Sequence, residues 1–547
     1  MLLVRHIKIL FIIICLPLIS IFGQNTVGTL LNTANALNGY TLFTFKKETF
    51  LINNCGEIIN QWSSDFIAGK SVSLLENGNL LRTGVIPNPN NIFLPGIGGK
   101  IELFDWNGNL IWQYEYSTNN AVQHHDVLPL PNGNILMLAI SVLSETQAIQ
   151  MGRNPSNLLD SELFNEQIIE LKPIGTNNAD IVWEWNMKDH LIQDFDNTKD
   201  NFGVVSENPQ LLNINYLGTS NGAANWLHAN AIYYNEQLDQ IILSTRQLSE
   251  FYIIDHSTTT SEAASSSGGI YQKGGDILYR WGNPAAYMQG TASNQKLFGQ
   301  HSPRWIDTGL VDAGKIILFN NGLGRTPHFS EIYIINPPTS TPGVYTYIAN
   351  TAYGPENPDY IYISSPNTNL YSPILSNAQR LSNGNIFICE GTSGHFFEID
   401  ANENIVWEYI NPVGGNGILS QGDNPQLSNN VVYRAKKYDV NYPAFNGRDL
   451  TPGLPIELNP DLSQCSILGV NNIGIENILT FPNPVSDILY INSPSPISNI
   501  KVYTILGKMV KKSFDKNQVD LHNLIAGIYI VKLTIGEKIF IKKIIKF

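Results

Sequence analysis

Cysteine is scarce: 4 in 547 residues. Cys15 lies in an apolar N-terminal run, which leaves Cys55, Cys389 and Cys465 for the rest of the chain. An odd number excludes complete internal pairing, and no CxxC or Cys/His spacing builds a structural zinc site. One disulfide can form, but spacing does not say between which two. Charge is scarce as well, 14% against 43% hydrophobic residues, which excludes wholesale disorder and permits a large core. A general basic excess is also missing. The net charge is −13, yet from Glu476 onward ten lysines stand against five acidic residues, so the middle of the chain is more acidic than the whole. Such a surface excludes nucleic acid and anionic membranes as partners, and any bound anion must be held by a local site. Long apolar runs are missing after the first 23 residues, so no transmembrane span is expected.

At the N-terminus Arg5 and Lys8 precede an apolar run, Ile9 to Phe22, that is too short for a comfortable membrane span and right for a signal-peptide core. Gly23 is a small residue suited to cleavage. Residues 1–23 are expected to be a signal peptide and the protein to be exported through the periplasm; a buried N-terminal strand is the bland alternative.

Turn residues and aromatics are plentiful, with Gly 44 and Tyr 24, and they fall into a repeat. "CGEIINQW", "DWNGNLIWQY", "ADIVWEW", "GDILYRWG" and "DANENIVWEY" each give a turn and a short apolar strand ending in or near Trp. A second phrase follows each copy: "SVSLLENGNLL", "HHDVLPLPNGNILML", "HANAIYYNEQLDQIIL", "HSPRWIDTGLVDAGKIILF" and "SNAQRLSNGNIFI". Three of these set Asn-Gly between alternating runs, a strong hairpin signal. Each unit is about four antiparallel strands, and units that cannot bury both faces alone must stack. Five copies are clear. A sixth assembles from "QLSNNVVYRAKKY" near the end and "YTLFTF" near the start. The expected fold is therefore all-β: a six-bladed β-propeller over residues 24–470, followed by a small antiparallel β-sandwich over 476–547. A pair of sandwiches is the alternative.

In "NWLHANAIYYNEQLDQIILSTR" a turn near Gln237 sets His228 opposite Arg246, with Asn230 two residues further on. Histidine, asparagine and a guanidinium fork together suit an oxygen-rich anion. Laid on this hairpin, the other copies place His125, His301 and Ser376 at the His228 position, and the first copy places it near Lys70. Equivalent positions of a propeller converge on its channel, so one shared site is expected. His124 adjoins His125, and an alignment error of one residue would exchange them. Three histidines also suit zinc, but the facing arginine disfavours a second cation. His190, His256, His328, His395 and His522 fall off this register and are expected to be structural.

Two resemblances carry these readings further. The tail, with "FPNP", "VYTILGK", "LIAGIYIVKL" and "IKKIIKF", resembles the C-terminal sorting domain read by the type IX secretion machinery, which implies a secreted or outer-membrane surface location and removal of the tail. The segments "WLHANAIYYNEQLDQIILSTR", "GQHSPRWIDTGLVDAGKIILFNNG" and "AQRLSNGNIFICEGTSGHFFEIDANENIVWEY" resemble the arylsulfate sulfotransferases. That resemblance implies a six-bladed propeller that moves a sulfuryl group from a phenolic sulfate to a phenol through a sulfohistidine. It implies no cofactor, metal or nucleotide sulfate donor. It assigns the nucleophile to His301, catalytic support to His228 and Arg246, and sulfate binding to Asn230 and His125, or else His124. It also implies channel tyrosines that the sequence alone does not place. A disulfide found near the nucleophile in some members has no counterpart before His301. Two readings compete: a sulfatase-like hydrolase with water as acceptor, and a secreted propeller that binds glycans or protein partners without catalysis.

Overall fold

The computed structural model describes residues 25–218, 224–427, 429–465, 479–493, 496–505, 507–513, 517–535 and 538–547. The segment read as a signal peptide, 1–23, lies outside the described residues. The chain divides into two compact units, Met1–Ile467 and Leu468–Phe547.

The first unit is a six-bladed propeller. Six antiparallel sheets follow one another along the chain, each with four strands running from the channel outward. The inner strands are Ala68–Leu74, Ala121–Pro129, Ala229–Asn235, His301–Trp305 and Asn377–Arg380 in blades two to six, and Ala435–Asp439 in blade one. Blade one is built from both ends of the unit: Ala435–Asp439 pairs with Gly39–Phe45, and Tyr40 stands opposite Tyr438. This is the closure expected from the two end segments. Blade six takes a fifth strand from the N-terminal side, Gly28–Asn32, on its outer edge.

The repeated phrases straddle blade boundaries. The Trp phrase is the outermost strand of one blade, and the hairpin phrase after it opens the next. The reason for Trp is visible in its ring nitrogen. Trp62 donates to the carbonyl of Asp105, Trp112 to Asn178, Trp185 to Gly275, Trp281 to Pro355 and Trp407 to Asn54, at 2.7–2.9 Å. Each acceptor belongs to the following blade, so each Trp buries its ring and fastens one blade to the next. Blade five lacks this residue; there the hydroxyl of Tyr360 donates to Glu403 of blade six.

Apolar side chains on both faces of every sheet interdigitate between blades. Six inter-blade cores result, from Leu42, Trp62 and Phe104 between blades one and two to Phe43, Phe396 and Trp407 between six and one. Buried ion pairs add specific links: Lys437 of the closing strand meets Glu398 of blade six at 2.8 Å, both fully buried. Cys55 and Cys465 form a disulfide, which settles the pairing that spacing left open; Cys389 is buried and free.

The second unit is a small sandwich of a three-stranded and a four-stranded antiparallel sheet. Between them lies a core that includes Leu489, Ile500, Val531 and Leu533.

Candidate functional site

The inner strands begin at one mouth of the channel, and their first residues build the site. Backbone geometry there is unusual. Lys70 (φ 113°), His125 (50°), His228 (49°), Ser302 (56°), Leu375 (66°) and Ser376 (86°) all adopt left-handed conformations. Each costs about 1–3 kcal/mol, and such strain collects where function needs a particular side-chain aim. The equivalence of Lys70, His125, His228 and Ser376 expected from the hairpins is therefore a matching backbone position. Blade five departs from it by one residue. Its left-handed residue is Ser302, so His301 stands one place earlier than expected, at the position of His124 in blade three. A bulge between His301 and Arg304 accompanies the offset.

His228 and Arg246 face each other as the turn predicts: Ala229 pairs with Thr245, and the amide of Arg246 donates to the carbonyl of His228 at 3.2 Å. A bulge at Asn230 breaks the simple alternation. Asn230 is fully buried, and its amide donates to the carbonyl of Gln300 at 2.9 Å, which ties blade four to the residue before His301. Its Oδ1 has no partner among the described residues, nor does the buried Nε of Arg246.

The histidines meet. The rings of His125 and His228 are 4.9 Å apart edge to face, and His301 is near enough for its charge to disfavour protonation of both. Tyr433, just before the closing strand, packs its ring 6.1 Å from His125, and its hydroxyl donates to the carbonyl of Asn230. A Cβ on Gly96, where φ is +86°, would stand 2.3 Å from the His125 ring, so only glycine lets that loop pass.

Hydrogen bonds fix two of the three rings. Asn321 donates from its amide nitrogen to the carbonyls of Ser372 and Leu375, which turns its oxygen toward Nδ1 of His301 at 2.8 Å. Nδ1 of His301 therefore carries the proton and Nε2 the lone pair, capped at 3.1 Å by the amide of Leu375. Asn225 donates to Nδ1 of His228 at 2.8 Å, so Nε2 of His228 carries the proton. His125 is bound to its neighbour: Nδ1 of His124 lies 2.8 Å from Nδ1 of His125, and Nε2 of His124 lies 3.0 Å from Oε2 of Glu166.

Burial presses His301 down to about 3; Asn321 opposes the shift and the charge of Arg246 adds to it. Burial likewise holds His125 and His228 well below the usual histidine range, aided by His228 and Arg246 respectively. All three imidazoles are neutral at pH 7. His228 and Arg246 open onto a cleft of about 800 Å³, with Asn90, Phe93, Asp160 and Phe164 on its walls. Further along the inner strands the channel tightens to a cavity of about 60 Å³, lined in part by Asp126, Arg304 and Arg434. The guanidinium of Arg434 is held by Asp126 at 3.1 Å.

The remaining histidines of the propeller have other tasks. His190 bridges Asp276 and the carbonyl of Ala263, His256 bridges Asp239 and Glu170, and His395 bridges Glu390 and Glu408. His328 stacks on Tyr371. In the second unit His522 is exposed beside Asp487. Glu166, Asn225, Asn321 and Tyr433 complete the site and carry no local sequence signal. Glu166 and Tyr433 come from other parts of the chain than the histidine each meets, whereas Asn225 lies three residues before His228 and Asn321 twenty after His301.

The channel mouth thus gathers three imidazoles around Arg246, whose buried Nε has no partner among the described residues. The chain belongs to the arylsulfotransferase (ASST) family, whose model matches residues 24–434. Membership supports aryl sulfotransferase activity in general terms. Residues 479–547 match the secretion-system C-terminal sorting domain. The protein is thus exported, to the medium or the outer-membrane surface. No helix among the described residues is long and apolar enough to cross a membrane. A search of the curated proteins found no match. Among solved structures the chain is similar to a protein of unknown function from Bacteroides caccae, at 10% identity over 73% of this chain and 98% of that one, TM-score 0.39. It is similar also to a putative 6-phosphogluconolactonase from Bacteroides fragilis (11%, 74% and 99%, 0.34). A third is the catalytically inactive virginiamycin B lyase from Staphylococcus aureus with quinupristin (12%, 70% and 88%, 0.32).

Proposed function

We propose that the protein transfers a sulfuryl group from an aryl sulfate to a phenol through a sulfohistidine at His301. The observation that carries this reading is a neutral imidazole with its Nε2 lone pair fixed by Asn321 near Arg246, whose buried Nε has no partner among the described residues. A neutral imidazole is a competent nucleophile at pH 7, and burial keeps it unprotonated. The amide of Leu375 caps that lone pair at rest and gives it up as His301 attacks sulfur. Arg246 and Nε2–H of His228 hold the sulfuryl oxygens while charge moves onto the leaving phenolate. Sulfuryl transfer, like phosphoryl transfer, needs mainly such positioning and charge stabilisation. Asn230 orders the floor by joining blade four to Gln300. The phenol rings occupy the cleft beside Phe93 and Phe164. The working form is residues 24–470, delivered by the signal segment and the type IX machinery that reads the tail.

The test is nitrophenol release from 4-nitrophenyl sulfate, with and without added phenol. Release that rises with phenol, together with a sulfuryl group trapped on the His301 peptide in the absence of acceptor, is the expected result. Release indifferent to phenol would mean hydrolysis. A folded protein inert toward every simple aryl sulfate would overturn the reading.

A further inference from the structure

Transfer between two phenols moves a proton as well as a sulfuryl group. The phenolate that leaves must gain a proton, and the phenol that accepts must lose one. The three channel histidines are poorly suited to store that proton between turnovers. Each is buried, and each faces the others and a cation: Arg246 from blade four, Lys70 from blade two and Arg434 beside the closing strand. Asp126, which follows His125 on the same strand, is already committed to Arg434, Ser71 and the amide of Ile232. A carboxylate with no lysine or arginine partner among the described residues does reach the cluster. Glu166, 1% exposed, accepts from the amide of Ala229 at 2.9 Å through Oε1 and meets Nε2 of His124 at 3.0 Å through Oε2. His124, fully buried, then meets His125 nitrogen to nitrogen at 2.8 Å. Nδ1 to Nδ1 is a contact that only one shared proton can satisfy.

We infer that Glu166, His124 and His125 form a proton relay that supplies the leaving phenolate and relieves the accepting phenol. This inference rests on the sulfuryl-transfer reading and names the group that handles its proton. In the resting state the relay holds one extra proton. His124 is an imidazolium between Glu166 and Nδ1 of His125, and Nε2 of His125 carries hydrogen. As Nε2 of His301 bonds to sulfur, the bond from sulfur to the phenolic oxygen breaks. That oxygen takes the proton from Nε2 of His125, and Nδ1 of His125 takes the proton between the rings from His124. The sulfurylated enzyme then has a neutral relay, with Nε2 of His125 bare. The accepting phenol gives its proton to that nitrogen as its oxygen attacks sulfur. The bond from sulfur to His301 breaks, its electron pair returns to Nε2, and the inter-ring proton moves back to His124. Glu166 touches no substrate and acts through His124. His228, whose Nδ1 is occupied by Asn225, is left to bind sulfate oxygens.

Leaving-group dependence isolates this role. Nitrophenolate departs without a proton, whereas phenolate needs one. In Glu166→Gln, kcat/KM is expected to fall about tenfold more for phenyl sulfate than for 4-nitrophenyl sulfate, within the usual worth of general acid catalysis. Equal losses on both donors would show a merely structural carboxylate and overturn the relay. Ring-nitrogen NMR of the wild-type protein supplies a second measurement should the variant fold poorly. One imidazolium in the His124–His125 pair at pH 7 is expected, and two neutral rings would overturn the relay. Absence of any His301-dependent transfer by the wild-type protein is a different failure, that of the sulfuryl reading itself.

Discussion

Two groups of histidines in one propeller have been driven in opposite directions. At the channel mouth His125, His228 and His301 are held neutral, the last down to about 3. Toward the outside of the blades, His256 and His395 are raised to about 9. Burial works against their charge too, but two carboxylates bond each ring and outweigh it. The difference lies in the neighbours. An imidazole between carboxylates is a fixed cation that fastens strands. An imidazole among imidazoles and guanidinium groups is a neutral base with a lone pair to spend. Burial alone does not separate the two groups.

The sharpest way to break the comparison is to remove one member of each group. His301→Ala is expected to lower sulfuryl transfer by ~10³-fold or more, as loss of a nucleophile does, with little change in melting temperature. Next comes the ring's orientation. Asn321→Ala leaves the nucleophile present but its tautomer unspecified, and a loss of about 10–100-fold in kcat is expected, typical of groups that orient a reactive ligand. If kcat held steady in that variant, the Asn321 oxygen would not be what sets the proton on Nδ1. On the other side, His395→Ala should leave kcat unchanged and cost about 1–3 kcal/mol in chemical denaturation, because Glu390 and Glu408 lose a half-buried partner. The smallest effect is in the pH dependence of stability. The channel histidines bind protons in the unfolded chain below about 6.5 but not in the native one, so they withdraw stability as pH falls from there toward 3. His256 and His395 do the reverse, giving stability that is full below about 6.5 and lost as pH rises toward 9. Melting temperature followed across pH in His395→Gln should therefore lose part of its alkaline decline and keep its acid one.

Much of the fold could be read from spacing because the same hydrogen bond recurs. Trp62, Trp112, Trp185, Trp281 and Trp407 each reach a carbonyl of the next blade, and a requirement repeated five times leaves a visible period. The Asn-Gly hairpins and the pairing of Tyr40 with Tyr438 were legible for similar local reasons. The site was legible in its residue types and less so in its geometry. His228 and Arg246 face each other by simple strand counting. His301 escapes that counting because a bulge and a left-handed Ser302 shift blade five by one place. Asn230 is turned by a bulge of its own. Asn321, 20 residues after His301, stands in the same segment but reaches the ring only because the hairpin folds back, and Glu166 and Tyr433 approach through the fold from other parts of the chain. The Cys55–Cys465 pairing was hidden for the same reason, since 410 residues separate its ends.

The closing strand has a consequence for timing. Tyr433 and Arg434 are among the last propeller residues to be made, yet one bonds the carbonyl of Asn230 and the other holds Asp126 beside His125. A chain still emerging from a ribosome or a translocon has the three histidines but lacks the strand that braces them. The reactive pocket is therefore completed only when the ring is, and a partial chain presents imidazoles without an assembled centre. Closing the ring and bracing the histidines are thus one event, made by the same segment.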